Sequence, residues 1–198
     1  MRRDRQDLRR QLAALAAAQS GYFTAAQALE VGYSYQAQKY HSDRGNWQRV
    51  DRGLYHLPEW PGGQHEDLVR WSLWSRGKAV VSHESALAVY DLGDANPPYV
   101  HLTVPPTFRS TAPGVRLHRA ELPDGDVRQQ DGFRMTTPLR SLLDVAAETT
   151  DVEQLATAIG DALRQGLVTR RQLLARGDAV GPRAALAIER ALRQLEEE

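Results

Sequence analysis

The sequence predicts an α+β protein in two parts. The first is three short helices closed by a β-hairpin; the second is a mixed α/β domain with a C-terminal helical tail. Three observations carry this. Helix-start signals crowd the first 45 residues and are followed by two short extended stretches around Asp51-Arg52-Gly53. The segment PEWPGGQ at 58–64 has the composition of a linker. Beyond it, alternating stretches such as YVHLTV (99–104) are interspersed with further helix starts.

Taken in order, Leu8, Leu12 and Leu15 share one face of a first helix spanning Asp7 to Ala18. The start of the chain has the look of a signal peptide, but Asp4 and Asp7 interrupt its basic region and LAALAAA is short, which favours a core helix. TAAQ at 24–27 is a capping box, in which the Thr24 hydroxyl accepts from the Gln27 amide while the Gln27 side chain reaches back. Helix two therefore starts at Ala25 and ends near Glu30, with Gly32 suited to the left-handed position after it. Ser34 caps a third helix running to about Ser42, and Gly45 ends it. Strands at Trp47–Val50 and Leu54–Leu57 follow, joined by a tight turn.

Helix, helix, turn, helix, hairpin is the order of a winged helix-turn-helix, and it assigns residues 1–60 to a DNA-binding domain. NWQRVDRGLYHL (46–57) is then the wing, with aromatics packing its base and Arg49 and Arg52 free to reach phosphates or the minor groove. SYQAQKYHS is the recognition helix, whose first residues face base edges. Tyr33, Ser34, Tyr35, Gln36, Gln38 and Lys39 all carry groups able to donate or accept, and Gln suits adenine while Lys suits guanine or phosphate. Ala37 and Tyr40 are expected to face the core.

The second domain, 65–198, begins with a helix over His65–Ser75. KAVVSH reads as a short buried strand running into a helix over Glu84–Tyr90, and VRLHRA (115–120) as a half-buried strand. Asp131-Gly132 marks a hairpin, and Thr137-Pro138 opens a helix. DVEQ (151–154) and TRRQ (169–172) open two more, and Gly181-Pro182 starts the last, which ends in Glu196, Glu197 and Glu198.

The 198 residues include no cysteine, which excludes disulfides, thiolate metal sites and a cysteine nucleophile. With no cysteine a cytoplasmic protein is the simplest expectation, and no apolar run reaches the length of a membrane span. The net charge is zero, but residues 1–60 carry nine basic against six acidic side chains, a net of +3. That imbalance points the first part toward nucleic acid and the remainder toward a different partner.

Catalytic signatures are weak. In SHES (82–85) neighbours in sequence do not converge as a triad does, and Ser82 reads better as a helix cap. His101 and His118 lie in expected strands and can meet across a sheet, but two histidines with no carboxylate cluster read as ordinary sheet residues. ELPDGD (121–126) lacks calcium-loop spacing. The expectation is therefore no catalytic residue, no metal and no cofactor.

The stretch GYFTAAQALEVGYSYQAQKYHSDRGNWQRVDRGLYHLP, with TAAQA, the Gly32 turn, Trp47-x-Arg49-Val50 and Arg52-Gly53-x-Tyr55, resembles the N-terminal winged helix of AbiEi-like antitoxins. VVSHESALAVYDLG, VHLTVP, GVRLHRA and GFRMTTPLRSLLDVA resemble successive blocks of that family's second domain, so the likeness covers about residues 20–147. The resemblance implies a non-enzymatic repressor of its own promoter, the antitoxin of a type IV toxin–antitoxin (abortive-infection) system. Its implied partners are double-stranded DNA, a nucleotidyltransferase-type toxin opposed functionally rather than through a stable complex, and a second copy of itself on the DNA, with no membrane. Two alternatives stay open. A similar N-terminal half precedes very-short-patch-repair-type nuclease domains, although here the tail offers no Glu-x-Lys pair and Lys78 is the sole lysine after the wing. A stand-alone regulator without a toxin is the other.

Overall fold

A computed structural model describes residues 4–197. Met1, Arg2, Arg3 and Glu198, the ends of the two expected domains, lie outside the described residues. The fold is mixed α+β and forms two compact units. Residues up to Lys78 with 130–133 make the first, and 79–129 with 134 onward make the second.

The first unit runs α1 (Arg5–Ala17), β1 (Tyr22–Thr24), α2 (Ala25–Val31), α3 (Tyr35–Asp43), β2 (Gln48–Asp51), β3 (Leu54–His56) and α4 (Glu66–Trp74). Helix α1 begins two residues before the expected Asp7, because the Asp4 carboxylate accepts from Gln6 N at its start. The capping box of Thr24 and Gln27 forms with both of its bonds. Gly32 follows α2 at φ 122°, a conformation costly for a side chain, and its N–H returns to the Ala28 and Leu29 carbonyls. Strand β1 is absent from the sequence expectation, being too short for alternation to register. It pairs antiparallel with β3, Phe23 opposite Tyr55, so the sheet order is β1-β3-β2. The β2–β3 hairpin carries an irregularity between Arg49 and Asp51 and turns at Gly53, φ 70°. The Gly53 carbonyl accepts from Ala25 N at 2.8 Å, which ties the turn to the start of α2.

Trp47 is the hub of this unit's core. It is 4% exposed, stands edge-on to Phe23 at 4.9 Å and to Tyr33 at 5.0 Å, and stacks on His41 at 4.8 Å. Leu12, Ala16, Ala28 and Val31 close around the cluster. The aromatics of the hairpin do pack its base. Helix α4, read from the sequence as the start of the second part, belongs to the first unit.

The second unit holds β4 (Val80–Val81), α5 (His83–Val89), β5 (Val100–Val104), β6 (Val115–Arg119), a 3-10 turn (Asp124–Asp126), all but the joined ends, Gln130 and Phe133, of β7 (Val127–Gln130) and β8 (Phe133–Thr136), α6 (Pro138–Glu148), α7 (Val152–Arg164), α8 (Arg170–Val180) and α9 (Pro182–Glu197). Its sheet has the order β6-β5-β4-β8-β7, with β5 parallel to β6 and antiparallel to β4. The helical tail is a bundle with its own core: Leu142 and Leu143 of α6, Ile159 of α7, Leu173 of α8 and Ile188 of α9 are fully buried together. Thr137, Asp151 and Thr169 each cap the helix their patterns announced.

Candidate functional site

The solvent face of α3 is set by which side chain the turn draws inward. Gln38 is 2% exposed, and its amide donates to the Ala25 carbonyl at 3.1 Å and the Tyr33 carbonyl at 3.3 Å. It thereby fastens α3 to α2 across the turn. Burying a polar side chain there is favourable because both donors are satisfied. Tyr33 is also interior, packed on Trp47 and His41, and burial raises its phenol above the ordinary value. Neither side chain can meet a base edge in this arrangement, so the structure corrects the sequence assignment at these two positions. The helix phase is corrected as well. Ala37 is half-buried as expected, but Tyr40 is 55% exposed.

The other assigned residues reach solvent. Ser34 accepts from Ala37 N through its hydroxyl oxygen, which leaves the O–H free to donate outward. Tyr35, at the first position of α3, is 71% exposed, and Gln36 and Lys39 are exposed beside it. Lys39 pairs with Asp43 at 2.7 Å, but both side chains are solvated, so the pair contributes little and can exchange for a phosphate. Arg49 and Arg52 are exposed on the hairpin; Arg49 Nε makes one long bond, 3.4 Å, to the Asp51 carbonyl. Sequence reasoning missed Tyr40 and Arg44, which stack at 5.5 Å on the same exposed face. A continuous polar face 35-36-39-40-43 was the available signal.

In the second unit the structure brings His83, Glu84 and Glu148 to the pair His101 and His118, which the sequence already allowed to meet across a sheet. The parallel β5–β6 register sets His118 opposite Thr103, and His118 Nε2 comes within 3.3 Å of His101 Nδ1. His83 joins them from the start of α5, its ring stacked on His118 at 3.5 Å. Its backbone is left-handed, φ 52°, a strained conformation for a side chain of this size. Carboxylates are present too. Glu148 Oε1 accepts from His118 Nδ1 at 3.0 Å, and Glu84 Oε2 lies 2.8 Å from His101 Nδ1. Burial works against ionisation of Glu84, but the contact with His101 brings its carboxyl down to about 2. His83 Nδ1 is held by Ser82 Oγ at 2.9 Å, which in turn receives the Thr103 hydroxyl. Burial, with His118 beside it, pushes the His83 imidazole down to about 3, and burial lowers His118 against the pull of Glu148. His83, His118 and Glu148 line a cleft of about 430 Å³ shared with Arg116, Arg119 and Arg140. The expectation that His101 and His118 lack carboxylates nearby is thus corrected: Glu84 and Glu148 stand beside them, and a third imidazole, His83, joins the pair.

Comparison with known proteins returns the same family at both ends of the chain. Residues 10–58 match the family described as "Transcriptional regulator, AbiEi antitoxin", and residues 79–197 match "AbiEi antitoxin C-terminal domain". Nothing among curated protein sequences matches the chain. Among solved structures, a protein titled "Crystal structure of RV2827C protein from Mycobacterium tuberculosis" superposes with a TM-score of 0.62 at 14% identity, covering 96% of this chain and 79% of that one. That likeness concerns the fold alone. With family matches covering its N-terminal residues and the greater part of the chain beyond them, the protein belongs to the AbiEi antitoxin family and carries that family's transcriptional-regulator domain at its N-terminus.

Proposed function

We propose that the protein is the DNA-binding repressor and antitoxin of a type IV toxin–antitoxin pair: it represses its own promoter and counters a nucleotidyltransferase-type toxin without chemistry of its own. The labour is divided, with residues 1–60 reading duplex DNA and 65–198 opposing the toxin. The observation that carries the first half is the solvent face of α3. Ser34, Tyr35, Gln36 and Lys39 stand exposed there with only weak or replaceable partners, and Arg49 and Arg52 are exposed on the hairpin of the same unit. Arg49 and Arg52 take phosphate or minor groove, while Gln36 and Lys39 face the major groove. Family membership supports the second half.

The test uses the full-length protein and the DNA upstream of its gene. An electrophoretic shift should form at low salt and weaken steeply as salt rises, since phosphate contacts release counterions. No shift at low salt would overturn the DNA-binding half. The antitoxin half is tested by growth on co-expression with the adjacent toxin-like gene. A double variant, Arg49→Ala with Arg52→Ala, should lose the shift and still protect. Loss of protection along with DNA binding would mean that protection works through repression.

A further inference from the structure

Two features of the second unit are unexplained by either half of that function: a strained, buried histidine at the start of α5, and three imidazoles drawn together with a carboxylate against two of them. We infer that His83, His101 and His118 form a binding site for a zinc-class divalent metal ion. One nitrogen from each of the three rings lies within 4.8 Å of the others. The tightest pair, His101 Nδ1 and His118 Nε2, is 3.3 Å apart. Two imidazole nitrogens on a tetrahedral zinc, each at about 2.0–2.1 Å, stand roughly 3.3–3.4 Å apart, so this pair already has the spacing of a coordination edge. In the metal-free protein the gap is bridged by one N–H, the two rings forming a hydrogen bond. A cation replaces that proton, which moves to the other nitrogen of His101. The two edges to His83, neither longer than 4.8 Å, close when its ring tilts away from its stack on His118, shortening each by at most roughly 1.5 Å.

The surroundings are those of a metal site. His118 passes its Nδ1–H to Glu148, which fixes the tautomer with Nε2 bare; carboxylate–histidine pairs of this kind orient zinc-bound imidazoles. Ser82 Oγ, which receives the Thr103 hydroxyl, holds the His83 ring in place through Nδ1. Glu84 adds negative charge beside His101, its Oε2 lying 2.8 Å from Nδ1. Arg116, 3.4 Å from Glu148, offsets part of this charge. Histidine nitrogens as the ligands favour zinc, cobalt or nickel over magnesium or calcium, which take oxygen. Three protein ligands leave a fourth position for water or a bound group, and two of the three rings also line the cleft.

The experiment is titration of chelator-stripped full-length protein with zinc chloride by calorimetry, and with cobalt chloride by visible absorption. One equivalent of zinc, competed by cobalt with the d–d bands of a four-coordinate ion, is the expected result. His118→Gln should abolish binding or weaken it at least tenfold. Glu148→Gln, which acts through the His118 ring, should weaken it by about 10–100-fold and leave the stoichiometry at one. His65→Asn, in the first unit, should bind as wild type. Because the His118 side chain is largely buried, folding of each variant is checked by circular dichroism, and the exposed Glu148 supplies the decisive variant if His118→Gln fails to fold. No binding at hundred-micromolar zinc, or equal binding by wild type and Glu148→Gln, would overturn the site and leave the three rings as a hydrogen-bonded cluster.

Discussion

The α3 face and the interior of the second unit handle polar side chains in opposite ways. On α3 the charged and amide groups stand in water with partners worth little, as with Lys39 and Asp43. In the second unit they are buried in mutual pairs. Asp126 is 5% exposed and receives Arg176 at 2.9 Å and Arg140 at 3.3 Å, while Arg140 also holds Asp144 at 2.8 Å. The difference teaches what each region is built to do. Solvated, loosely paired groups can trade their partners for phosphates and bases at small cost. Buried pairs cannot be traded, and they hold a fixed arrangement of β-strands and helices.

The sharpest way to break this comparison is to remove the cation on which the buried acids depend. Arg140→Met should cost about 3–5 kcal/mol in urea unfolding, because Asp126 and Asp144 then remain buried with less or no compensation. Asp144 gives the pH dependence. Burial raises its carboxyl to about 6 even against Arg140. Its folded value lies above the unfolded one, so the native state binds the proton more tightly and stability falls as the pH rises through about 6. The loss in Arg140→Met should accordingly be smaller at pH 5 than at pH 8. A cost under 1 kcal/mol at pH 8 would show that the second unit's acids are no more committed than those on α3.

Next in size is the contrast between two glutamines two residues apart. Gln38→Ala removes the bonds to the Ala25 and Tyr33 carbonyls and should lower stability by about 1–3 kcal/mol, with the sequence preference of DNA binding unchanged. Gln36→Ala should leave stability within about 0.5 kcal/mol of wild type. It should instead relax preference between cognate and altered operators by roughly 1–3 kcal/mol. Equal effects of the two on specificity would mean that α3 turns a different face to the DNA. Smaller again is Arg52→Ala, expected to weaken binding on every sequence alike and to reduce the slope of affinity against salt by about 1.

These positions also mark how far the sequence could be read. Helix starts were legible because capping is local: Thr24 with Gln27, Ser34, Thr137, Asp151 and Thr169 act on backbone three residues away. Position 38 was not, because hydropathy gives no sign that a glutamine will be buried. What draws it in is a pair of carbonyls, one of them thirteen residues back. Tyr40 was misplaced for the same reason, an aromatic being assigned inward once the true inward residue looked polar. The histidine cluster depends on strand register and on the return of α6 to bring Glu148 beside β6, a separation of thirty residues from His118 that spacing cannot express. Strand β1 needed its partner β3 to exist at all.

The smallest predicted effect tests the boundary between the two behaviours, at His41. This residue sits on α3 but faces inward, stacked on Trp47 with 15° between the rings, and its Nδ1 lies 3.2 Å from the Asn46 amide. Burial, and then the positive charge of Arg9, lower its imidazole from the ordinary value. The folded value is below the unfolded one, so the unfolded chain takes up the proton first. The stability His41 contributes is present above about pH 6.5 and declines as the pH falls below it. His41→Phe keeps a flat ring on Trp47 and removes the titration. Between pH 7 and pH 5.5 the urea midpoint of the wild type should fall by more than that of the variant. DNA binding should change little in either, since the ring faces the core. A variant that follows the wild type across this range would place His41 with the solvated groups of α3. A variant that loses DNA binding at pH 7 would mean that the inward side of the helix takes part in reading DNA.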